Sequence, residues 1–112
     1  MIYWKCISAQ RLTFLDASDN EIAVLPPKFG DCKWLKVARL SRNHITDMRQ
    51  VIGQTALEEL NLAQNEVTQI PDNISNMTSL VTLDLSHNGL TSLHPAICLV
   101  SAAFFLRNLR NN

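Results

Sequence analysis

Three neighbouring polar residues, Asp84, Ser86 and His87, are of the types that form hydrolytic sites. A serine nucleophile needs a basic histidine within hydrogen-bond reach and a carboxylate that orients this histidine. Asp84 and Ser86 alternate along one extended stretch, so their side chains should point in parallel to the same solvent-facing side. Nothing nearby suggests donors for an oxyanion. We therefore predict that this trio is not catalytic.

The other residues that could hold a metal ion or form a redox centre are scattered along the chain. They are His44, His87, His94, Cys6, Cys32 and Cys98. The histidines do not occupy equivalent positions, and the cysteines are odd in number and form no C-x-x-C pair. The sequence therefore predicts no metal site, no cofactor and no disulfide framework.

A repeated leucine pattern positions all of these residues. Residues 80–90 read L-V-T-L-D-L-S-H-N-G-L, which matches L-x-x-L-x-L-x-x-N-x-L. Related copies begin at Leu12, Leu35 and Leu57, so the steps between the first leucines are 23, 22 and 23 residues. Self-similarity at this period predicts a repeat architecture in which stacked units share one core.

The longer pattern L-x-x-L-x-L-x-x-N-x-L-x-x-L-P-x-x-I resembles the 23-residue class of leucine-rich repeats of intracellular scaffold and Ras-suppressor-like proteins. The match is best at Leu25-Pro26 and Ile70-Pro71, and it covers essentially the whole chain. The resemblance implies an α/β solenoid, a right-handed horseshoe with a parallel sheet on its concave face. It also implies that the concave face binds a protein partner. About ten residues remain for each convex segment, enough for 3₁₀ turns or one short helix.

The same register divides the chain into units. We predict a half-repeat at 1–11, full repeats at 12–34, 35–56, 57–79 and 80–102, and a partial repeat at 103–112. Both ends lack a recognisable capping unit, which suggests a fragment of a longer solenoid or a partial gene product. Uncapped ends expose apolar surface and strand edges, so self-association through them is expected.

Alternation within each unit separates a core face from a solvent face. Leu60 and Leu62 should point inward, and the residues between and beside them outward. In the first unit Leu15 precedes Ala17, whereas in the second Ala38 precedes Leu40. At both positions a large side chain therefore lies beside a small one on the adjacent strand, which conserves the volume of the core.

One asparagine recurs after every strand and has a structural and a functional interpretation. The four are Asn20, Asn43, Asn65 and Asn88. Their period favours a buried ladder, in which each amide satisfies backbone groups where the chain turns, over contact with a ligand.

The outward positions of the four strands are the candidate partner-binding residues. They are Phe14, Asp16, Ser18, Asp19, Val37, Arg39, Ser41, Arg42, Glu59, Asn61, Gln64, Thr82, Asp84, Ser86 and His87. The surface is mixed in charge, with a small apolar patch at Phe14 and Val37. A cross-strand pair between Asp16 and Arg39 is expected, and exposed pairs of this kind add little to stability. Sixteen outward positions, which include Ala63, fall short of the roughly 20–30 residues of a standard interface, so a weak or partial site is predicted.

Composition excludes several kinds of partner. Ten basic and ten acidic residues cancel, and no basic run exceeds two residues, so binding to nucleic acid is not indicated. No apolar stretch approaches the ~20 residues of a membrane span. The cysteine pattern and the absence of a signal-peptide pattern at the N-terminus predict a reducing, cytoplasmic location. The glycosylation acceptor patterns at Asn73 and Asn76 favour the opposite location.

These observations favour a non-enzymatic module that binds a protein partner through its sheet. Two alternatives stay open. The chain is a targeting segment of a larger enzyme, such as a kinase or a ubiquitin ligase, or it is a spacer in a longer solenoid. Trp34 falls outside the core positions and is expected to pack on the convex side or, alternatively, to anchor a partner.

Overall fold

The computed structural model describes residues 11–25, 29, 32–51, 54–71, 74 and 76–90. The predicted half-repeat, apart from Arg11, and the predicted partial repeat lie outside the described residues. The same is true of Cys6, Cys98, Asn73 and His94.

Four short parallel strands form a single sheet. They are β1 (Phe14–Asp16), β2 (Val37–Arg39), β3 (Glu59–Asn61) and β4 (Thr82–Asp84), in the order β1-β2-β3-β4. The register aligns Leu15 with Ala38, Ala38 with Leu60, and Leu60 with Leu83. Each crossover of 22 or 23 residues thus returns the chain beside its predecessor. The predicted solenoid with a parallel sheet is confirmed.

Hydrogen bonds extend this ladder beyond the strands. The N–H of Leu40 donates to the carbonyl of Asn61 at 2.8 Å, and the N–H of Leu62 donates to Asp84 at the same distance. Further along, the N–H of Arg42 donates to Ala63 at 2.9 Å. The repeats therefore remain paired through the turn that follows each strand.

The core lies behind the sheet and contains the leucine positions predicted from the pattern. Leu57, Leu60 and Leu62 are fully buried. The second repeat has no Leu-Pro pair, and Met48 is buried at the inward position that the leucine or isoleucine of this pair occupies in other repeats. Leu12, Leu15, Ile22 and Leu90 are only partly buried against this core. Burial is thus most complete in the two middle repeats, which have a neighbour on both sides.

The return segments are irregular and contribute the far side of the core. A 3₁₀ helix spans Arg49–Val51, and no α-helix occurs in the described part of the chain. The chain then turns into β2, β3 and β4 with one hydrogen bond in each case, such as Leu80 N–H to Met77 at 3.2 Å. Among the residues described, no helix has the length and apolar character needed to cross a bilayer.

Gln54 is a polar residue at a position that Cys32 and Met77 occupy in the two neighbouring repeats. Its side chain is fully buried, and its Nε2 donates to the carbonyl of Phe29 at 2.6 Å, which connects the return segments of two repeats. The Oε1 atom has no hydrogen-bond partner among the described residues. The leucine pattern did not indicate this residue, because its burial depends on the packing of two irregular segments.

Candidate functional site

The outward side chains of the strands form an ordered surface, which we call the sheet face. Its first row comprises Phe14, Val37, Glu59 and Thr82, and its second comprises Asp16, Arg39, Asn61 and Asp84, each in register across the sheet. A third row begins with Ser18 and Ser41, whose hydroxyls are 3.1 Å apart. The fourth row comprises Asp19, Arg42, Gln64 and His87. The structure therefore brings all fifteen predicted side chains onto adjacent strands and the turns after them.

Arg39 connects the apolar and acidic parts of the sheet face. Its guanidinium carbon lies 5.2 Å from the centroid of the Phe14 ring, and its Nε lies 2.9 Å from Glu59 Oε2. The prediction that Arg39 pairs with Asp16 is wrong. Asp16 instead accepts a hydrogen bond from the N–H of Ser18, and this bond is the main reason that the pKa of Asp16 is lowered. Phe14 remains 49% exposed.

The second row also stabilises the backbone after three of the strands. The Oδ1 atoms of Asp16, Asn61 and Asp84 each accept the N–H two residues ahead at 3.0 Å. These are Asx turns, which reproduce a backbone turn with a side-chain oxygen. The Arg39 side chain has no oxygen and cannot accept such a bond, so it is available for cross-strand contacts. An Asp or Asn at the last position of the strand was the signal available in the sequence.

The fourth row adopts an uncommon backbone conformation. Asp19, Arg42, Gln64 and His87 have φ values of 59°, 54°, 56° and 57°. This left-handed conformation is unfavourable by roughly 1–2 kcal/mol for a residue with a Cβ atom. Inter-repeat hydrogen bonds support it, such as Gln64 N–H to Ser86 at 2.9 Å. None of the four residues is glycine, so the sequence did not reveal the conformation.

Substitutions at Gln64 should separate backbone strain from side-chain contacts. Gln64→Val should lower the free energy of unfolding by about 1–2 kcal/mol, because a β-branched residue is strongly disfavoured at positive φ. Gln64→Gly should leave stability unchanged or raise it by up to about 1 kcal/mol, because glycine adopts this conformation readily. Urea unfolding of the two variants and the parent measures both effects. Equal midpoints for the valine and glycine variants would contradict this account.

Asp19 and Arg42 form an ion pair across the fourth row. Arg42 Nη2 lies 2.7 Å from Asp19 Oδ2, and Arg42 Nε contacts the other oxygen. This hydrogen bonding lowers the pKa of Asp19 and raises the pKa of Arg42, so both stay charged at neutral pH. Because both side chains are exposed, the pair adds little to stability. Its charges remain accessible to a partner.

Asn65 shows how the recurring asparagine connects neighbouring repeats. Its Nδ2 donates to Leu40 in the preceding repeat at 2.9 Å and to Leu62 in its own repeat at 3.0 Å. Its Oδ1 accepts the N–H of Ile45, again from the preceding repeat, at 3.0 Å. The residue is 7% exposed. One amide therefore satisfies backbone groups of two repeats that the core shields from water.

Asn43 and Asn88 make the equivalent contacts one repeat earlier and one repeat later. Asn43 Oδ1 accepts the N–H of Ile22 at 3.1 Å, and Asn88 Oδ1 accepts the N–H of Val67 at 2.9 Å. Asn20 differs, because it is exposed and, among the described residues, donates to carbonyls two and three residues before it.

The arrangement of Asp84, Ser86 and His87 does not resemble a nucleophile and its base. The Ser86 hydroxyl lies 2.7 Å from Asp84 Oδ1 and donates to it, whereas a nucleophilic serine donates to histidine. His87 is exposed in the left-handed turn. Across the residues that the structure describes, no group of three His, Cys, Asp or Glu side chains could hold a metal ion.

Trp34 lies in the turn that precedes β2. Trp34 is 54% exposed, so it is only partly packed, and both expectations, packing on the convex side and anchoring a partner, stay predictions. The guanidinium carbon of Arg11 lies 4.9 Å from the centroid of its ring. Hydrophobic periodicity identifies positions that are not core, but it does not indicate what an aromatic residue contacts there.

A polar groove of about 310 Å³ opens on the flank where the chain leaves the asparagine turns. It is lined by Thr46, Asp47, Arg49, Thr68, Gln69 and Pro71. Arg49 Nη2 lies 2.6 Å from Asp47 Oδ2, and this hydrogen bonding lowers the pKa of Asp47. The groove lies apart from the sheet face.

Comparison with known proteins agrees with this geometry. A family model described as leucine rich repeat matches residues 33–90, which is more than half of the chain. The chain therefore belongs to the leucine-rich-repeat family.

Several curated proteins align with most of the chain. The protein flightless-1 homolog of Caenorhabditis elegans is 31% identical over 94% of this chain and 8% of its own length. Leucine-rich repeat serine/threonine-protein kinase 1 of Mus musculus is 32% identical over 77% of this chain and 5% of its own length. Lumican of Gallus gallus is 37% identical over 73% of this chain and 24% of its own length. The chain thus spans a quarter or less of these relatives.

Solved structures share the fold. A leucine-rich-repeat protein of Leptospira interrogans superimposes with a TM-score of 0.74 at 25% identity, over 86% of this chain and 27% of that protein. The functional domain of InlJ from Listeria monocytogenes superimposes with a TM-score of 0.67 at 29% identity, over 80% of this chain and 19% of that domain.

Proposed function

We propose that this chain is a non-enzymatic module that binds a protein partner through the sheet face. Leucine-rich-repeat domains commonly serve as protein-interaction modules. The observation that carries the proposal is the half-exposed Phe14 ring in the first row, beside the charged Arg39 and Glu59. An aromatic ring next to an arginine is a combination enriched where interfaces concentrate their binding energy.

The exposed charges of the sheet face also support the proposal. The pairs Arg39–Glu59 and Arg42–Asp19 are exposed and therefore contribute little to folding. The same charges can steer a partner of complementary charge and fix its orientation. The extent of the face favours a weak site or one part of a larger site, because standard interfaces use roughly 20–30 residues a side.

Charge reversal on the sheet face should weaken binding without unfolding the chain. A partner is first found by pull-down and then purified. Arg39→Glu combined with Arg42→Glu is expected to weaken the binding of this partner by at least about tenfold. Phe14→Ala should also weaken it, and this variant changes no charge. Calorimetric titration measures both effects, and thermal unfolding checks that each variant is folded.

The matched control for a single charge reversal is Arg49→Glu on the flank of the repeats, compared with Arg39→Glu alone. The partner should retain its affinity for this control. If the partner binds the sheet-face variants and the control equally well, its site lies elsewhere on the molecule.

A targeting segment of a larger enzyme is the second candidate function. It draws support from two relatives whose names are those of enzymes, the mouse kinase and the adenylate cyclase of Schizosaccharomyces pombe. Under this proposal the sheet face brings a substrate or regulator to a catalytic domain elsewhere. An adjoining coding sequence in frame with a catalytic domain would favour it, whereas further repeats alone would favour a scaffold or a spacer. We also propose a cytoplasmic location, which expression of a tagged chain in cells tests directly.

A further inference from the structure

A second surface lies before the strands and is independent of the sheet face. We call it the strand-entry edge and define it by Arg11, Trp34 and Lys36, which immediately precede β1 and β2. Trp34 is 54% exposed, and its ring stacks with the guanidinium of Arg11 at 4.9 Å. The N–H of Lys36 donates to the carbonyl of Thr13 at 2.8 Å, so the turn before β2 is paired with the first repeat.

The cations of this edge differ from the other arginines that the structure describes. Arg39, Arg42 and Arg49 each form an ion pair with a carboxylate. Arg11 and Lys36 form none with any described residue. The N–H of Glu58, before β3, donates to the carbonyl of Lys36 at 2.8 Å, so the two residues are neighbours. The carboxylate of Glu58 forms no ion pair with Lys36. The edge therefore presents two cations that form no ion pair with the described residues, beside an exposed indole.

Two carboxylates without a direct ion pair to a described residue lie at the opposite end of β1, although the charge of Arg39 still attracts one of them, Asp16. Asp16 and Glu21 are exposed, and neither forms an ion pair with the described residues. Asp16 is held as a carboxylate by its hydrogen bond from the N–H of Ser18. Arg11 and Lys36 thus lie before the strands and Asp16 and Glu21 lie after β1, while the exposed carboxylate of Glu58 lies beside Lys36 before β3. The positive charges of Arg11 and Lys36 attract an acidic ligand to the part of the edge beside Trp34.

We propose that the strand-entry edge binds an acidic linear segment of a partner protein, with an apolar residue of that segment placed against Trp34. Arginine suits this role because its planar guanidinium binds carboxylates with two hydrogen bonds and stacks on aromatic rings. A half-exposed tryptophan supplies apolar area at little conformational cost. Stacking and positive charge also suit single-stranded nucleic acid. The formal net charge of zero and the carboxylates across the sheet disfavour a long polyanion, so a short acidic peptide fits better.

The test measures fluorescence anisotropy of a labelled short peptide of glutamates with one central phenylalanine, at near-physiological ionic strength. We expect binding to the parent chain, and a loss of at least about tenfold in Arg11→Glu with Lys36→Glu. Trp34→Ala should weaken binding by several-fold with no change of charge. The matched control for a single charge reversal is Arg49→Glu on the flank, compared with Lys36→Glu alone, and the control should bind as the parent does.

Three results would overturn the proposal. The first is equal loss in Lys36→Glu and Arg49→Glu, which would indicate attraction by net charge alone. The second is equal affinity of the parent for a matched lysine peptide. The third is tighter binding of a short single-stranded oligonucleotide, which would assign the edge to nucleic acid. Because the peptide probe and the sheet-face partner are separate ligands, failure here would leave the proposed function unaffected.

Discussion

Asn65→Ala should lower the free energy of unfolding by about 3 kcal/mol, because a buried polar group left without its partner costs roughly 1–3 kcal/mol and this amide serves several. The Asn65 side chain is buried and makes hydrogen bonds with Leu40 and Ile45 of the preceding repeat. Alanine would leave those backbone groups unsatisfied in a region that water does not reach. The loss should fall on the interface between two repeats, and so reduce the cooperativity of unfolding as well as its midpoint.

Asn20→Ala is the matched control at the equivalent position of the first repeat. Asn20 is exposed, and its described hydrogen bonds are local ones to Ala17 and Ser18. Its replacement should cost no more than about 1 kcal/mol, the value of an ordinary hydrogen bond that water can replace. Urea unfolding followed by circular dichroism compares the two variants. Losses that are equal and small would show that the recurring asparagine does not hold the repeats together.

Leu60→Ala should have an effect of similar size in the core. Leu60 is fully buried in β3, in register with Ala38 on one side and Leu83 on the other. Leucine-to-alanine changes in cores cost about 2–5 kcal/mol, and more where the surroundings cannot close the cavity. Because Ala38 is already small, Leu83 would be the one large side chain in register beside the space, and the cavity could close only in part. We expect about 4 kcal/mol, in the upper part of that range.

Leu15→Ala is the control at the same position of the first strand. Leu15 is only partly buried against the core, so less apolar area would return to water and the cavity would be open to solvent. A loss of about 1–2 kcal/mol is expected. Thermal and urea unfolding of both variants should rank Leu60 well above Leu15. The reverse order would mean that the sheet is not stabilised mainly through its middle repeats.

The alternation and period of the leucines determined the strand register. Leu15, Ala38, Leu60 and Leu83 lie side by side because each unit must stack its leucines on those of the next. The sites of the asparagines followed from the same period. These features were accessible because a repeat converts a distance in sequence directly into a position in space.

The tertiary structure alone decided how the surface side chains pair. Arg39 contacts Phe14 and Glu59, whereas Asp16 accepts a hydrogen bond from the N–H of Ser18 in its own turn. The left-handed conformation at Gln64 also depends on a hydrogen bond from the neighbouring repeat. A pattern specifies which face a residue occupies, but several partners on that face lie within reach of a long side chain. Rotamers, local backbone competition and contacts between repeats then select one of them, and none of these has a period in the sequence.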